Sequence, residues 1–431
     1  MTAAAPGPAG GGPDRRDRVL VLVVGDELVD GSVSDRNGAA LARAVRSRGG
    51  EVAGIVLVGD EEAAIAAAVR EGLGRAEGVL ACGGIGPTGD DVTREAVARA
   101  LEADLVVDEG WADRVAERFP PARGLPGTER QARLPRGSEP VDNPNGTALG
   151  FGADAGEGGW VLVLPGVPDE LRAMLGGAGG SFLDARIAGS ADPVLRVGLA
   201  GVPESVVAER LEGLGELEGL RVASYPHQGT VDLHLRAVGA GTQPDGARAA
   251  RDRLARAGEA LRREFGRDVY EVGERELAEV VLDDLRGRGE TLAAAESCTG
   301  GGLGSAITAV PGASDVFWGG VITYADEAKR ELVGVPEAVL RSDGAVSEAT
   351  ARAMARGVRE IAGTSWSVAI TGIAGPAGGS ADKPVGTVWI AAAGEREATR
   401  RFRMPGGRSA VRRRSVTAAL DMVRRLAAVD S

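Results

Sequence analysis

The sequence predicts an α/β protein in three parts: an amino-terminal three-layer domain on a parallel sheet, a small α+β connecting domain and a carboxy-terminal α/β domain. Three observations predict it. Short apolar runs, residues 19–24 and 52–58 among them, alternate with helical patterns, as strands and their covering helices do. Several runs stop at glycine-rich turns, where parallel sheets hold their ligands. The chain, 431 residues of which 43% are apolar, is also long enough to bury two or three cores.

Composition narrows the function. No apolar run approaches the roughly 18 residues that a membrane helix needs, so no membrane partner is expected. A net charge of −12 argues against general nucleic-acid binding. Residues 1–17 lack an apolar core and read as a disordered tail, not a secretory signal. The two cysteines, Cys82 and Cys298, form no CxxC pair, which fits a cytoplasmic setting without a zinc or disulfide framework. The only two histidines, His227 and His234, fall in the middle of the chain and read as structural. A serine-histidine-aspartate triad elsewhere would have to borrow one of them.

The first domain is expected over residues 18–178. Its first strand, 19–24, ends at Gly25-Asp26-Glu27, and a helix capped by Ser34 or Asp35 follows from Gly38. The second strand, 52–58, ends at Gly59-Asp60; a helix spans 61–73, and 79–82 is the third strand. The strand ends thus gather Asp26, Glu27, Asp60 and the loop Gly83-Gly84-Ile85-Gly86-Pro87-Thr88-Gly89-Asp90-Asp91. A literal GxGxxG runs from Gly84 to Gly89, but it follows the third strand, contains Pro87 and leads into two aspartates. Bare carboxylates repel a pyrophosphate, whereas carboxylates holding a divalent metal attract it. The residues point to a nucleotide or pyrophosphate site with a metal. The plainer alternative is that Asp90 or Asp91 caps the helix 92–101.

Residues 154–159 read as a polar hairpin, 160–164 as a strand, 168–175 as a helix and 176–180 as a boundary. The connecting domain, 179–272, then carries strands and helices without glycine-rich loops.

The last domain, 273–431, turns on a strand at 291–295 that runs into Glu296-Ser297-Cys298-Thr299-Gly300-Gly301-Gly302 and a helix. Strand, glycine turn and helix together expose N–H groups to a ligand. Ser297 and Cys298 are both potential nucleophiles; the plain alternative is a tight turn with Ser297 or Thr299 as N-cap. Tyr324 stands at a strand exit and Lys329 one helical turn later, so both can face one crevice. Lysine is an established base for serine, provided burial or a neighbouring cation lowers its proton affinity. Thr371-Gly372 opens a second glycine-rich loop. Ser347 caps a helix whose Ala351, Met354, Val358 and Ile361 form one apolar stripe. On the closing helix, 408–427, Val416, Ala419, Leu420, Val423 and Leu426 face inward, and Arg412 continues that face. An arginine there requires an anion, an acidic side chain or a ligand phosphate. Arg413 and Arg424 read as solvated charges.

On these residues the chain resembles the CinA (competence/damage-inducible) family. The loop Gly83 to Thr93 resembles the GGxGPTxDDxT loop of molybdopterin-binding-like domains, with Gly25-Asp26-Glu27-Leu28, Asn145-Gly146-Thr147-Ala148 and Leu164-Pro165-Gly166-Val167-Pro168 as further matches. Leu149 departs from an expected proline. The resemblance implies metal-dependent hydrolysis of ADP-ribose, with Gly83, Gly84, Gly86, Thr88, Asp90 and Asp91 as the nucleotide loop and a divalent metal among Asp91, Asp60 and Asp26. Ala295-Glu296-Ser297-Cys298-Thr299-Gly300-Gly301, Gly319 to Tyr324, Glu327-Ala328-Lys329, Gly344 to Ser347, Thr371 to Pro376 and Lys383 to Val388 are similar to the nicotinamide-nucleotide amidase domain of that family. Asp326 is a small variation there. The resemblance makes Ser297 the nucleophile assisted by Tyr324 and Lys329. It puts Glu296, Thr299, Gly300, Gly301, Thr371, Gly372 and Arg412 (Arg414 as the fallback) at the substrate. It implies deamidation of nicotinamide mononucleotide without a cofactor, in a homodimer.

Two rival classes stand beside this reading. One is a DNA-associated interaction protein, suggested by the arginine-rich segment 400–414 and the family's name and opposed by the overall charge. The other is a molybdopterin-type binding protein whose second domain is inactive. Ammonia release separates the amidase from both.

Overall fold

The computed structural model describes residues 17–120, 125–187, 193–237 and 244–428. Except for Asp17, the expected tail lies outside the described residues. The chain divides into two compact units, Met1–Asp192 and Pro193–Ser431.

The first unit comprises β1 (Arg18–Val24), α1 (Asp26–Val29), α2 (Asn37–Ser47), β2 (Glu51–Val58), α3 (Glu62–Arg75), β3 (Gly78–Cys82), α4 (Thr93–Ala100), β4 (Leu105–Val107), α5 (Glu109–Arg118), α6 (Pro126–Gln131), β5 (Arg133–Pro135), β6 (Glu139–Val141), β7 (Gly150–Asp154), β8 (Trp160–Leu164), α7 (Pro168–Leu175) and α8 (Ala178–Arg186). Its main sheet has the order β2-β1-β3-β8-β7-β6. Successive β1 side chains alternate between faces: Leu20, Leu22 and Val24 join the core of α3 and α4, and Val19, Val21 and Val23 that of α2, α7 and α8. The layers are those expected, but the sheet is mixed: β2, β1, β3 and β8 are parallel, whereas β7 pairs antiparallel with both β8 and β6. The hairpin at residues 155–159 returns the chain directly, without a crossover helix.

The boundary expected at residues 176–180 falls inside this unit. Gly179 and Gly180 are buried, and Phe182 and Leu183 of α8 belong to the same core as α2 and α7. A Cβ on Gly180 would stand 2.3 Å from the Leu175 carbonyl oxygen, so the glycine allows a close approach and does not mark a linker.

The second unit opens with the expected α+β connecting domain: β9 (Val194–Ala200), α9 (Glu204–Leu211), β10 (Leu220–Pro226), β11 (Thr230–Ala237), α10 (Pro244–Phe265) and β12 (Val269–Val272). Its antiparallel sheet is ordered β10-β11-β9-β12. His227 lies 3.1 Å from Asp232 and His234 packs edge-on against Tyr225.

The chain continues with α11 (Leu277–Gly287), β13 (Leu292–Glu296), α12 (Gly302–Thr308), β14 (Phe317–Ile322), α13 (Asp326–Val333), α14 (Glu337–Ser342), α15 (Glu348–Ala362), β15 (Trp366–Gly372), β16 (Thr387–Ala393), β17 (Glu397–Arg403) and α16 (Arg408–Ala427). The sheet order is β14-β13-β15-β16-β17, with the first three strands parallel. Leu292 and Ala294 of β13 face α11, α12 and α16, while Ala293 and Ala295 face α15. Ser347 caps α15 by accepting from the Thr350 N–H at 3.2 Å, as expected. Ala351, Met354 and Val358 are buried, but Ile361, expected to extend that stripe, is 55% exposed at the last turn.

Candidate active site

Three parallel strands end together at the nucleophile turn. Ser297 N–H donates to the Ile370 carbonyl at 2.9 Å, and Thr323 N–H donates to the Glu296 carbonyl at 2.7 Å. The ends of β13, β14 and β15 thereby bring Ser297, Tyr324 and Thr371 to one edge of the sheet. Gly300 and Gly301, at φ +55° and +88°, turn the chain into α12 through a conformation that side-chain-bearing residues adopt at a cost. Neither Ser297 nor Thr299 caps that helix, whose N-cap is Gly301. Glu296 serves it instead: the carboxylate is 2% exposed and accepts from Leu303 N–H at 3.0 Å and Gly304 N–H at 2.8 Å. A carboxylate at a helix N-terminus is favourably placed. Each Glu296 oxygen thus accepts one backbone N–H, so the residue holds the start of α12, and it also lines the groove beside the turn.

Lys329 is 1% exposed, although it lies on an otherwise polar helix. Its ammonium donates to the Tyr324 carbonyl at 3.3 Å and to Asp326 Oδ1 at 3.4 Å, so the variant Asp326 is its ion-pair partner. Burying an ammonium is costly unless it is paired, and these two acceptors supply the pairing. Tyr324 follows Thr323, which is bonded to Glu296, so Lys329 is tied to the backbone beside Ser297. The Tyr324 ring does not share the lysine's burial: the residue is 59% exposed, and its hydroxyl accepts from Arg408 Nη2 at 2.9 Å.

The other wall comes from α16. Arg412 occupies the expected face, but its partner is not an acidic side chain: Nε and Nη2 donate to the Thr299 carbonyl at 3.1 and 2.6 Å. Arg408, one turn earlier, donates to the Gly375 carbonyl and the Tyr324 hydroxyl, both at 2.9 Å. Sequence reasoning missed Arg408, although the helical spacing that selected Arg412 extends back to it. Arg424, read as solvated, is in fact bound to Asp421 at 2.6 Å and largely buried. Burial pushes the Cys298 thiol up to about 12; Glu296 adds to this, and the Arg412 and Arg408 guanidiniums pull the other way. Thr371 is buried and donates to the Ala345 carbonyl at 2.6 Å, fastening the neighbouring turn. The Thr299 hydroxyl is buried without a hydrogen-bond partner. A groove of about 650 Å³ opens next to the turn, between Gly301, Gly304 and Ser305 on one side and Trp318 and Ile322 on the other. Ser297, Tyr324, Lys329 and Arg412 do not line it.

In the first unit the loop 83–91 follows β3, at the carboxyl ends of the parallel strands, as expected. Its carboxylates are otherwise engaged. Asp26 and Asp60 bind each other's backbone, Asp26 N–H to Asp60 Oδ2 at 2.9 Å and Asp60 N–H to Asp26 Oδ1 at 3.0 Å. Asp91 turns back into its own loop, accepting from Gly86 N–H at 2.7 Å, Thr88 N–H at 2.8 Å and the Thr88 hydroxyl. It does not cap α4, whose N-cap is Val92. Burial, then the Asp26, Glu27 and Asp90 carboxylates, raise the pKa of Asp60 against the hydrogen bond from Asp26 N–H. Among the described residues no three His, Cys, Asp or Glu side chains converge as a metal site. The expected set of Asp26, Asp60 and Asp91 therefore does not fit a divalent ion as arranged, and no metal-dependent step is assigned to this unit. What does hold the loop is Arg94, another residue that sequence reasoning passed over. It is fully buried and donates to the carbonyls of Ile85, Gln131, Arg133 and Leu149 at 2.7–3.1 Å.

Comparison with known proteins agrees with this layout. A family described as "CinA C-terminal domain" matches residues 274–427, and one described as "Probable molybdopterin binding domain" matches residues 20–183. A CinA-like protein of Gemmatimonas aurantiaca is 40% identical over 416 residues, covering 94% of this chain and 96% of the relative. One from Synechococcus sp. (strain RCC307) is 41% identical over 416 residues, covering 94% and 97%. Among solved structures, the competence/damage inducible protein CihA from Agrobacterium tumefaciens is 40% identical, with a TM-score of 0.34, and covers 35% of this chain and 93% of its own. With a relative this similar along nearly the whole sequence, the chain belongs to the CinA family.

Proposed function

We propose that the second unit is an amidase that converts nicotinamide mononucleotide and water to nicotinic acid mononucleotide and ammonia, with Ser297 as nucleophile. The observation that carries this reading is the convergence at one glycine turn. Ser297 follows β13 directly, a buried lysine is tied to the adjacent strand exit, and two arginines of α16 reach the same site. A serine needs a base, and Lys329 is the candidate beside the turn. A nucleotide needs a cation for its phosphate, and Arg412 and Arg408 are the candidates.

In this mechanism Ser297 Oγ attacks the carboxamide carbon as its proton passes to Lys329 Nζ. The N–H groups of Thr299 and Gly301, which donate to no backbone carbonyl among the described residues, are free to stabilise the oxyanion. Lys329 returns the proton to the departing nitrogen, and ammonia leaves. Water then attacks the acyl-serine, giving its proton to Lys329, and nicotinic acid mononucleotide is released as Ser297 regains its proton. The reading implies no metal for these steps.

The test is ammonia release from nicotinamide mononucleotide by the full-length protein. Ser297→Ala is expected to lower kcat by several orders of magnitude, the scale of losing a serine nucleophile. Cys298→Ala is expected to retain most of the activity. An inactive Cys298→Ala beside an active Ser297→Ala would make the enzyme a thiol amidase instead.

A further inference from the structure

Beside its buried apolar face of Val411, Ala419, Leu420 and Val423, helix α16 presents two rows of polar side chains. Arg408 and Arg412 reach the nucleophile turn, Tyr324 and the loop at Gly375. The second row, Arg413, Thr417, Asp421, Arg424 and Arg425, meets the connecting domain. Arg413 Nε donates to the Gln228 side-chain oxygen, and the Thr417 hydroxyl donates to the Gln228 carbonyl at 2.9 Å. Farther along, Arg424 donates to the Arg267 carbonyl at 2.6 Å, and Arg425 to Asp268 and to the Ala200 carbonyl, each at 2.9 Å. Asp421 binds both arginines, at 2.6 and 2.7 Å, and so keeps this cluster in place.

The contact at Gln228 is close as well as polar. Gly229 sits at φ +106°, and a Cβ there would lie 2.9 Å from Thr417 Cγ2. The tip of the β10–β11 hairpin therefore rests its backbone against α16, where a side chain would hold the two apart.

We propose that Gln228 is a positioning residue of the amidase: the β10–β11 turn fixes the rotation of α16 and thereby sets Arg412 on the nucleophile turn. Adjacent helical residues are about 100° apart, so the grip on Arg413 and Thr417 bears directly on the direction in which Arg412 leaves the helix toward the Thr299 carbonyl. Arg412 holds that carbonyl with two donors, and Thr299 immediately precedes the two left-handed glycines that shape the turn. A rotation of α16 lengthens both hydrogen bonds at once. The connecting domain, which among the described residues makes no hydrogen bond to the nucleophile turn, thus acts on the chemistry through one helix. The catalytic consequence rests on the amidase reading; the positional one does not.

The test uses the intact chain with Gln228→Ala and Thr417→Val combined. Both changes remove a hydrogen bond without adding bulk, and circular dichroism checks that the pair folds. Two measurements follow. In hydrogen exchange, the amides of residues 298–302 are expected to exchange faster than in the wild type; unchanged exchange there overturns the proposal whether or not the protein is an amidase. In kinetics, kcat/KM for nicotinamide mononucleotide is expected to fall roughly 3- to 10-fold, within the range of coupled neighbours. In an Arg412→Ala background the pair is expected to cost nothing more, because its effect passes through Arg412. The same fold-loss in both backgrounds overturns the proposal and leaves only a stabilising contact. Absence of ammonia release from the wild type sinks the amidase reading alone, and the exchange measurement still decides the positioning role.

Discussion

With the Cys298 thiol pushed up to about 12 by burial, only roughly one molecule in ten thousand carries a thiolate at pH 8. Iodoacetamide at pH 8 is therefore expected to leave amidase activity intact over hours, while ammonia assays and mass spectrometry follow activity and labelling together. Rapid inactivation that Cys298→Ala abolishes would contradict the burial of the thiol. Arg412 carries a second prediction at this scale. It holds the Thr299 carbonyl and is also the candidate phosphate ligand, and a hydrogen bond to a charged group contributes about 1.5–3 kcal/mol. Arg412→Ala is expected to lower kcat/KM on the nucleotide roughly 10- to 100-fold and on nicotinamide riboside by less. Equal losses on both substrates would remove the phosphate role. The positions of Ser297, Lys329 and Arg412 were legible in the sequence because strand ends and helical spacing determine them. Their partners were not. Nothing in the residue order states that Arg412 meets a carbonyl, that both Glu296 oxygens go to backbone N–H groups, or that the Tyr324 ring turns toward Arg408 while Lys329 is buried beneath it.

Elements whose apolar period is clean were read to within a few residues, α7, α15, α16 and β13 among them, since a buried face must repeat at 2.0 or 3.6 residues. Elements held by unusual means were missed. Gly150–Asp154 forms β7 although two of its five residues are glycine, because a Cβ on Gly152 would meet the Phe182 ring at 2.0 Å. Helix α8 looked like a linker for the same reason: its glycines serve contact, not flexibility. Helix α12 is the functional case, since a short helix that begins on glycines depends on Glu296 at its N-terminus. Glu296→Gln keeps one acceptor and loses the charge and the second. It is expected to cost about 1–3 kcal/mol, which lowers the temperature of half-loss of amidase activity by about 2–4 °C per kcal/mol. An unchanged inactivation temperature would mean that the turn is held by the glycines and Arg412 alone.

At the scale of the molecule, the arginine-rich segment that suggested a nucleic-acid partner does not form one surface. Arg408 and Arg412 reach the nucleophile turn, Arg413 binds the connecting domain, and Arg401 donates to the Asp382 carbonyl. Arg94 shows the same economy in the first unit, with one buried cation gathering the loop after β3 to β5, α6 and the segment entering β7. Burial lowers the pKa of its guanidinium to about 10, opposed by Glu95 and Asp91, so it stays charged at neutral pH. Leu149, where the family resemblance leads to proline, makes use of the difference: its N–H donates to the Gln131 carbonyl at 3.2 Å, a bond proline cannot make, and its own carbonyl accepts from Arg94. Removing the arginine takes the donor from the Ile85, Arg133 and Leu149 carbonyls, while Gln131 keeps the Leu149 N–H, and each carbonyl left buried and unpaired costs about 1–3 kcal/mol. Arg94→Leu is accordingly expected to destabilise the first unit by more than about 4 kcal/mol, seen in calorimetry of the full chain as a transition moved down by roughly 10 °C. Arg94→Lys is not expected to rescue it, because a single ammonium has three donors and no planar fork to span four carbonyls. Ammonia release from nicotinamide mononucleotide should be unchanged at 25 °C, since Arg94 and every carbonyl it holds belong to the first unit. A transition that does not move would show that the loop's own hydrogen bonds suffice to hold it, with Asp91 and not Arg94 as its anchor.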